Sequence, residues 1–382
     1  MPEANQPGTK QDHGTPAVVA NPAAAAAVDR NIHLFTKRIK ERFSLWLARS
    51  GKYIEMMKEI LREKNIPEDI AFLSLIESGF NPNAYSIAKA VGPWQFIAST
   101  GKRYGLKIDW WRDERRDPVK STEAAANYLK DLYDMFGSWN LAMAAYNAGE
   151  GKILKALNKT KSDDYWALLD TKFIRTETKE YVPRFIAAKM IAADPQSYGF
   201  GELDYHPPLE HDEVVVRRPL DLDVAARCAQ TSVDAIKELN PELRRWSTPA
   251  NVSSYALRIP AGREEIFYEN LSRVPEEEQF TIVTYTVKKG DTLKKISGKT
   301  GVPIHVILEL NGGIRPLKTG EEISLPPKEK YCPDRDDRAA GKTRVKKASY
   351  KKSKNSRKGA VKKQKNRRIL MTALDKKGPI AD

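Results

Sequence analysis

The chain has 382 residues, 41% hydrophobic and 30% charged, enough for two or three compact domains with a real core. Its net charge of +15 does not describe the folded body, because residues 330–382 alone hold 19 Lys and Arg against 5 Asp and Glu; a basic nucleic-acid-binding body is excluded and a basic tail remains. No apolar run approaches the ~18 residues needed to span a bilayer, and two cysteines as far apart as Cys228 and Cys332 exclude a disulfide framework and a cysteine metal site.

Residues 1–28 are rich in Pro, Ala, Asn and Gly and read as disordered. They lack a basic stretch followed by an apolar core, so no signal peptide is visible. From Asp29 the pattern is helical, with apolar residues at Ile39, Phe43, Trp46 and Leu47 and again at Ile54, Met57, Ile60 and Leu61. Pro67 marks a helix start, with Asn65 a candidate cap and Glu68 and Asp69 in the first turn. That helix runs through Ile70, Leu73 and Ile76 and is predicted to stop at Gly79. Residues 80–118 read as an irregular loop region. Helices are predicted over 121–136, 139–148 and 179–193. After Gly199 the character changes: a strand at Val214–Val216, a helical stretch Val224–Leu239 and a strand Tyr255–Ile259. The order returns at 282–326, so the two pieces read as a degenerate and a full copy of one small module.

Glu77 is the chemical focus. It falls in the last turn of its helix, where the macrodipole is negative, among Phe72, Leu73 and Ile76. Both effects favour the neutral acid, which suits a general acid near neutral pH. Small and hydrogen-bonding groups follow at Ser86, Gly92 and Gln95, and apolar faces at Trp94, Phe96, Trp110 and Trp111. Tyr146 and Asn147 end a later helix, and Tyr181 opens another. Asp109, Asp113, Glu114 and Asp117 are alternative second carboxylates, and with one of them the site would suit a two-carboxylate hydrolase.

Glu77-Ser78, Gly92-x-x-Gln95, Ala145-Tyr146-Asn147-Ala148-Gly149 and Glu180-Tyr181-Val182, in this order, resemble the lytic transglycosylase family over roughly residues 30–195. The resemblance implies a goose-lysozyme-like fold, Glu77 as sole acid/base, and a sugar groove lined by Ser78, Ser86, Gln95, Phe96, Tyr146, Asn147 and Tyr181. It implies no metal or cofactor. The implied reaction cleaves the β-1,4 bond between N-acetylmuramic acid and N-acetylglucosamine and leaves a 1,6-anhydro end. Trp94 stands where many relatives carry Met or Leu.

Tyr285-x-Val287-x-x-Gly290-Asp291-Thr292-Leu293, with Asn311 and a closing Leu325-Pro326, resembles a LysM module. That resemblance implies a βααβ fold that binds N-acetylglucosamine chains near Gly290, Asp291, Thr292, Leu293 and Asn311. The chain thus reads as an α+β multidomain protein. A mainly α-helical lysozyme-like catalytic domain (29–200) precedes a degenerate LysM-like region (201–275), a LysM module (282–327) and a disordered basic tail (328–382). The implied partner is peptidoglycan glycan strands. The tail suits an anionic wall or membrane surface, and no specific nucleic acid is expected. Such a substrate places the protein outside the cytoplasmic membrane, periplasmic or associated with the outer membrane.

Overall fold

The computed structural model describes residues 22–313, 316–327 and 330. It divides into two units, one running up to Asp109 and including Asp113–His211 and Leu239–Glu242, the other made of Trp110–Arg112, Asp212–Glu238 and the chain from Leu243.

The first unit is helical. Helix α1 (Pro22–His33) corrects the expectation of disorder up to residue 28. Pro22 sits in the first turn, where no ladder N–H is required, and Ala24, Ala27, Val28 and Asn31 bury one face against α9 (Thr176–Ala193). Residues 1–21, with the rest of that expected segment, lie outside the described residues, as do Cys332 and nearly all of the basic tail. A π-helical turn, Leu34–Arg38, leads to α2 (Lys40–Ser50) and α3 (Ile54–Glu63). The predicted apolar periodicity is met there: Phe43, Leu47, Met57 and Leu61 are buried, and Phe43 stacks on Phe35 at 4.3 Å. A short 3-10 turn, Glu68–Ala71, feeds α4 (Phe72–Ser78).

The loop after α4 contains a short helix, α5 (Ala98–Arg103). Helix α6 (Pro118–Phe136) begins three residues before its predicted start, because Asp117 and Pro118 form its N-terminus. The Asp117 carboxylate accepts the N–H groups of Val119 and Lys120 at 2.9 and 3.0 Å, and Pro118 fits the first position. Helix α7 (Trp139–Ala148) stops at Gly149, whose φ of +94° starts α8 (Glu150–Thr160) at once. Pro183 lies inside α9 and cannot donate to the carbonyl of Lys179. The Tyr165 hydroxyl donates to that carbonyl instead, at 2.8 Å.

The second unit carries two small sheets. Strand β1 (His211–Val216) pairs with β2 (Tyr255–Pro260) across α10 (Leu222–Cys228) and α11 (Val233–Leu239). The single predicted helix over 224–239 is split, with Gln230 at a φ of +50° between the two pieces. Cys228 is buried, and burial pushes its thiol pKa up. Helix α12 (Glu264–Ser272) and the short α13 (Glu276–Gln279) follow. The last module is βααβ: β3 (Val283–Thr286), α14 (Leu293–Thr300), α15 (Ile304–Leu310) and β4 (Glu322–Leu325). Here β3 and β4 are antiparallel, with Tyr285 opposite Ile323. Val287, Ile296, Val306, Ile307, Ile323 and Leu325 share a core with Trp110, Trp111 and Trp246. Trp246 stacks on Phe280, the Trp111 indole N–H donates to Glu309 at 3.1 Å, and the Arg245 guanidinium lies 4.1 Å from the Trp110 ring centre. Among the described residues no helix is long and apolar enough to cross a membrane.

Candidate active site

Glu77 is the penultimate residue of α4 and half-buried. The helix ends at Gly79 in the left-handed conformation, φ +62°, with its N–H returned to the Leu75 carbonyl at 2.9 Å. A Cβ at Gly79 would stand 2.2 Å from the Trp46 ring, so the turn and its packing both require glycine. Tyr181 of α9, 3% exposed, donates its phenol hydrogen to Glu77 Oε1 at 2.6 Å. This hydrogen bond fixes the Glu77 carboxyl oxygen against α9. Burial, with the Glu77 carboxylate adding to it, pushes the phenols of Tyr146 and Tyr181 well above the usual tyrosine pKa. Both remain protonated donors.

The neighbouring loop is held from several sides. Ser74 and Ser78 donate their hydroxyls to the Pro93 carbonyl at 3.2 and 2.8 Å, and Ser78 Oγ also accepts from the Asn81 N–H. Ser78, expected to line the groove, therefore ties the end of α4 to the loop. Gly92, at φ +84°, packs where a Cβ would fall 1.7 Å from the Arg115 carbonyl oxygen. Gln95 also has a positive φ, +51°, and its amide donates to the Gly92 carbonyl at 2.8 Å. Ser86 accepts from the Ala90 N–H and closes the loop tip, where Ile87 is 85% exposed.

The aromatic residues divide into core and groove. Trp94 is fully buried, and its indole N–H donates to Thr122 at 2.8 Å. Phe96, expected as a lining residue, is buried as well and meets Tyr146 edge to face at 6.1 Å. Tyr146 is half-buried and donates to the Trp94 carbonyl at 2.8 Å. Its ring continues to Tyr128 at 5.3 Å and from there to Tyr104 at 4.9 Å. Burial and the Asp131 carboxylate push the Tyr104 phenol up to about 12. Asn147 accepts from the Thr178 hydroxyl at 3.0 Å.

One organiser escapes a reading of the sequence. Arg115 and Asp113 form a buried ion pair at 2.7 Å, and Arg115 also donates to the carbonyls of Lys89 and Phe96 at 3.1 Å. The charge cluster Arg112–Asp117 is visible in the sequence, but nothing in it signals burial. This network also bears on the second carboxylate. Asp113 is paired with Arg115, Glu114 binds Lys120 and the Lys107 N–H, and Asp117 caps α6. Among the described residues no cluster of His, Cys, Asp and Glu is suited to a metal ion.

In the last module, Gly290 takes a φ of +78° and Thr292 caps α14 by accepting the Lys295 N–H. Asp291 accepts from Lys299 at 2.9 Å, Tyr285 at 2.7 Å and the Lys288 N–H at 3.1 Å. Asn311 staples α15 to β4: its amide donates to the Ile307 and Ser324 carbonyls and accepts the Ser324 N–H at 2.8 Å. All three polar side chains predicted for sugar binding, Asp291, Thr292 and Asn311, are thus engaged inside the module. Leu293 and Asn311 line a small depression, with a cavity volume of about 10 Å³, together with Ile307, Gly313 and Leu317.

Residues 55–169 match the Transglycosylase SLT domain, residues 210–276 the LysM-like domain of lytic transglycosylase MltD, and residues 285–326 the LysM domain. The chain is 34% identical over 294 residues to the membrane-bound lytic murein transglycosylase D of Escherichia coli, an alignment covering 72% of this chain and 64% of that protein. It is 24% identical to the membrane-bound lytic murein transglycosylase C of Haemophilus ducreyi, over 37% of this chain and 46% of that protein. Among solved structures, the 70 kDa soluble lytic transglycosylase of Escherichia coli aligns with 22% identity and a TM-score of 0.34, over 41% of this chain and 27% of that one.

Proposed function

Since the chain belongs to the lytic transglycosylase family, we propose that it cleaves peptidoglycan glycan strands between N-acetylmuramic acid and N-acetylglucosamine. The observation that carries the reading is the 2.6 Å hydrogen bond from Tyr181 to the half-buried Glu77. Glu77 donates its proton to the glycosidic oxygen as the bond to the muramic C1 breaks. The substrate's N-acetyl group stabilises the charge that develops at C1. The Glu77 anion, held by Tyr181, then accepts the proton of the same sugar's C6 hydroxyl, and that oxygen closes on C1 to give a 1,6-anhydro end. No water is consumed. Gln95, Tyr146, Asn147 and Ser86 frame the groove, with Ser78 and Phe96 holding its floor.

A hydrolytic muramidase would use a second carboxylate some 5–9.5 Å away. Of the four alternative partners, Asp113, Glu114 and Asp117 are engaged in ion pairs or a helix cap, which speaks against those three and leaves Asp109 as the carboxylate a two-carboxylate route would need.

The domain scheme that fits is a catalytic domain over 29–200 extended at its start by α1, a LysM-like region over 201–275 and a LysM module over 282–327. Tethering a wall-binding module to the enzyme raises the effective substrate concentration. The surface around Leu293 is the candidate contact for N-acetylglucosamine chains. A periplasmic, membrane-associated location follows from such a substrate. The basic tail suits attraction to anionic wall or lipid.

Purified sacculi with mass spectrometry of the released muropeptides test this. Wild type is expected to release anhydro products and Glu77→Gln none. Products heavier by one water overturn the transglycosylase route, and equal activity of Glu77→Gln overturns the assignment of Glu77.

A further inference from the structure

Successive residues at the start of α9 are tied to different parts of the first unit. Thr178 donates its hydroxyl to Asn147 of α7 at 3.0 Å. The carbonyls of Thr178 and Lys179 accept from Tyr165 at 3.0 and 2.8 Å. Glu180 receives Asn31 on one carboxylate oxygen at 2.7 Å and Arg30 on the other at 2.8 Å. Tyr181 reaches Glu77. Asn31 is 3% exposed and makes full use of its amide, donating also to the Ala27 carbonyl at 2.9 Å and accepting from Arg184 Nε at 3.3 Å. Helix α1 therefore grips α9 at residues 180 and 184, on both sides of Tyr181.

That grip matters because α9 is locally weak there. Pro183 removes the ladder bond to Lys179, so the turn bearing Tyr181 depends on side chains from elsewhere. A hydrogen bond of 2.6 Å leaves little room for displacement, and misplacement by about 1 Å can cost on the order of 100-fold in rate. We propose that Asn31 and Glu180 are positioning residues for the reaction: through α1 they hold the Tyr181 phenol on Glu77. The matched SLT domain, residues 55–169, includes neither α1 nor α9. The proposal rests on the reading of Glu77 as acid/base.

The full chain is compared as wild type, Asn31→Ala, Glu180→Ala, Glu180→Gln, Glu77→Gln and Asp29→Ala, an exposed position on α1 away from this contact. Turnover on sacculi is normalised to the folded fraction seen by circular dichroism. Asn31→Ala and Glu180→Ala are expected to lose about tenfold in kcat with KM within about twofold. Glu180→Gln keeps an acceptor for Asn31 and is expected to recover to within about threefold of wild type. Turnover equal to wild type in both alanine variants, with Glu77→Gln inactive, overturns the positioning role and leaves Glu77 in place. An active Glu77→Gln overturns the underlying reading instead. A loss shared by Asp29→Ala, or one that appears only in KM, also overturns the proposal.

Discussion

Replacing Gly79 by alanine tests whether the end of α4 is fixed by packing as well as by backbone conformation. The backbone at Gly79 has φ +62°, and an added methyl would sit 2.2 Å from the Trp46 ring. Gly137 offers an internal comparison: its φ is +65°, and a methyl there meets nothing within 4 Å. The left-handed conformation costs a residue with a Cβ roughly 1–2 kcal/mol at either site. Overpacking against Trp46 adds about 1–3 kcal/mol at Gly79 alone. Gly79→Ala is thus expected to cost about 2–5 kcal/mol and Gly137→Ala about 1–2 kcal/mol. At roughly 2–4 °C of Tm per kcal/mol for a body of this size, Gly79→Ala should melt roughly 4–20 °C lower and Gly137→Ala about 2–8 °C lower. Thermal unfolding by circular dichroism reads both. Glu77 lies two residues before Gly79, so only Gly79→Ala should also lose turnover per folded molecule. Equal Tm shifts in the two variants refute the packing argument.

Tyr181→Phe keeps the buried ring and removes the donor to Glu77; a hydrogen bond to a charged group is worth about 1.5–3 kcal/mol, so kcat should fall roughly 10- to 100-fold, and a change within twofold would refute the role. Asp291 is held at about 2, below the ordinary aspartate value of 3.8, by Lys299, then Tyr285 and the Lys288 N–H. An acid depressed on folding contributes stability above its unfolded pKa and loses it as pH falls through the folded one. The acid-induced loss of the βααβ module between about pH 4 and pH 2 should therefore flatten in Asp291→Asn, and an unchanged far-UV acid titration would count against it. Arg115→Met leaves the Asp113 carboxylate buried and unpaired and should cost about 3–5 kcal/mol in urea unfolding. Arg62→Met, which breaks an exposed pair with Glu68, should leave the urea midpoint close to that of wild type.

Much of the architecture is readable because its signals are local. Gly79 as a helix stop, the apolar spacing of Phe43, Leu47, Met57 and Leu61, and the strand-helix-helix-strand order at 282–326 need only nearest neighbours. The misreadings come from effects that depend on the third dimension. Pro22 and the alanines after it look like a disordered leader, because alanine becomes a core residue only once α9 lies against it. Gly149 does end α7, but nothing along the chain shows that α8 begins at once beyond it, at a φ of +94°. At the site, sequence order brings Glu77 and Tyr181 into one proposal, and the 2.6 Å contact between them fits it. No pattern along the chain reveals that Ser78 faces a carbonyl, that Phe96 is buried, or that Asp291 and Asn311 are engaged inside their own module. A polar side chain looks the same in sequence whether it faces a ligand or a backbone.

Trp110–Arg112 belong to the second unit, although Asp109 and Asp113 on either side belong to the first. The two units are therefore not consecutive stretches of the chain. A fragment cut at residue 212 would carry the stack of Trp246 on Phe280 but lack two of the indoles that complete its core, and apolar surface would open to water. A fragment ending at residue 211 would carry those two indoles without their partners. Exchange of the repeat region between proteins by simple recombination at a linker would set each pair of indoles against a core it did not evolve with. The same connectivity implies that any shortened protein made to measure glycan binding by the repeats has to bring the segment around Trp110–Arg112 with it.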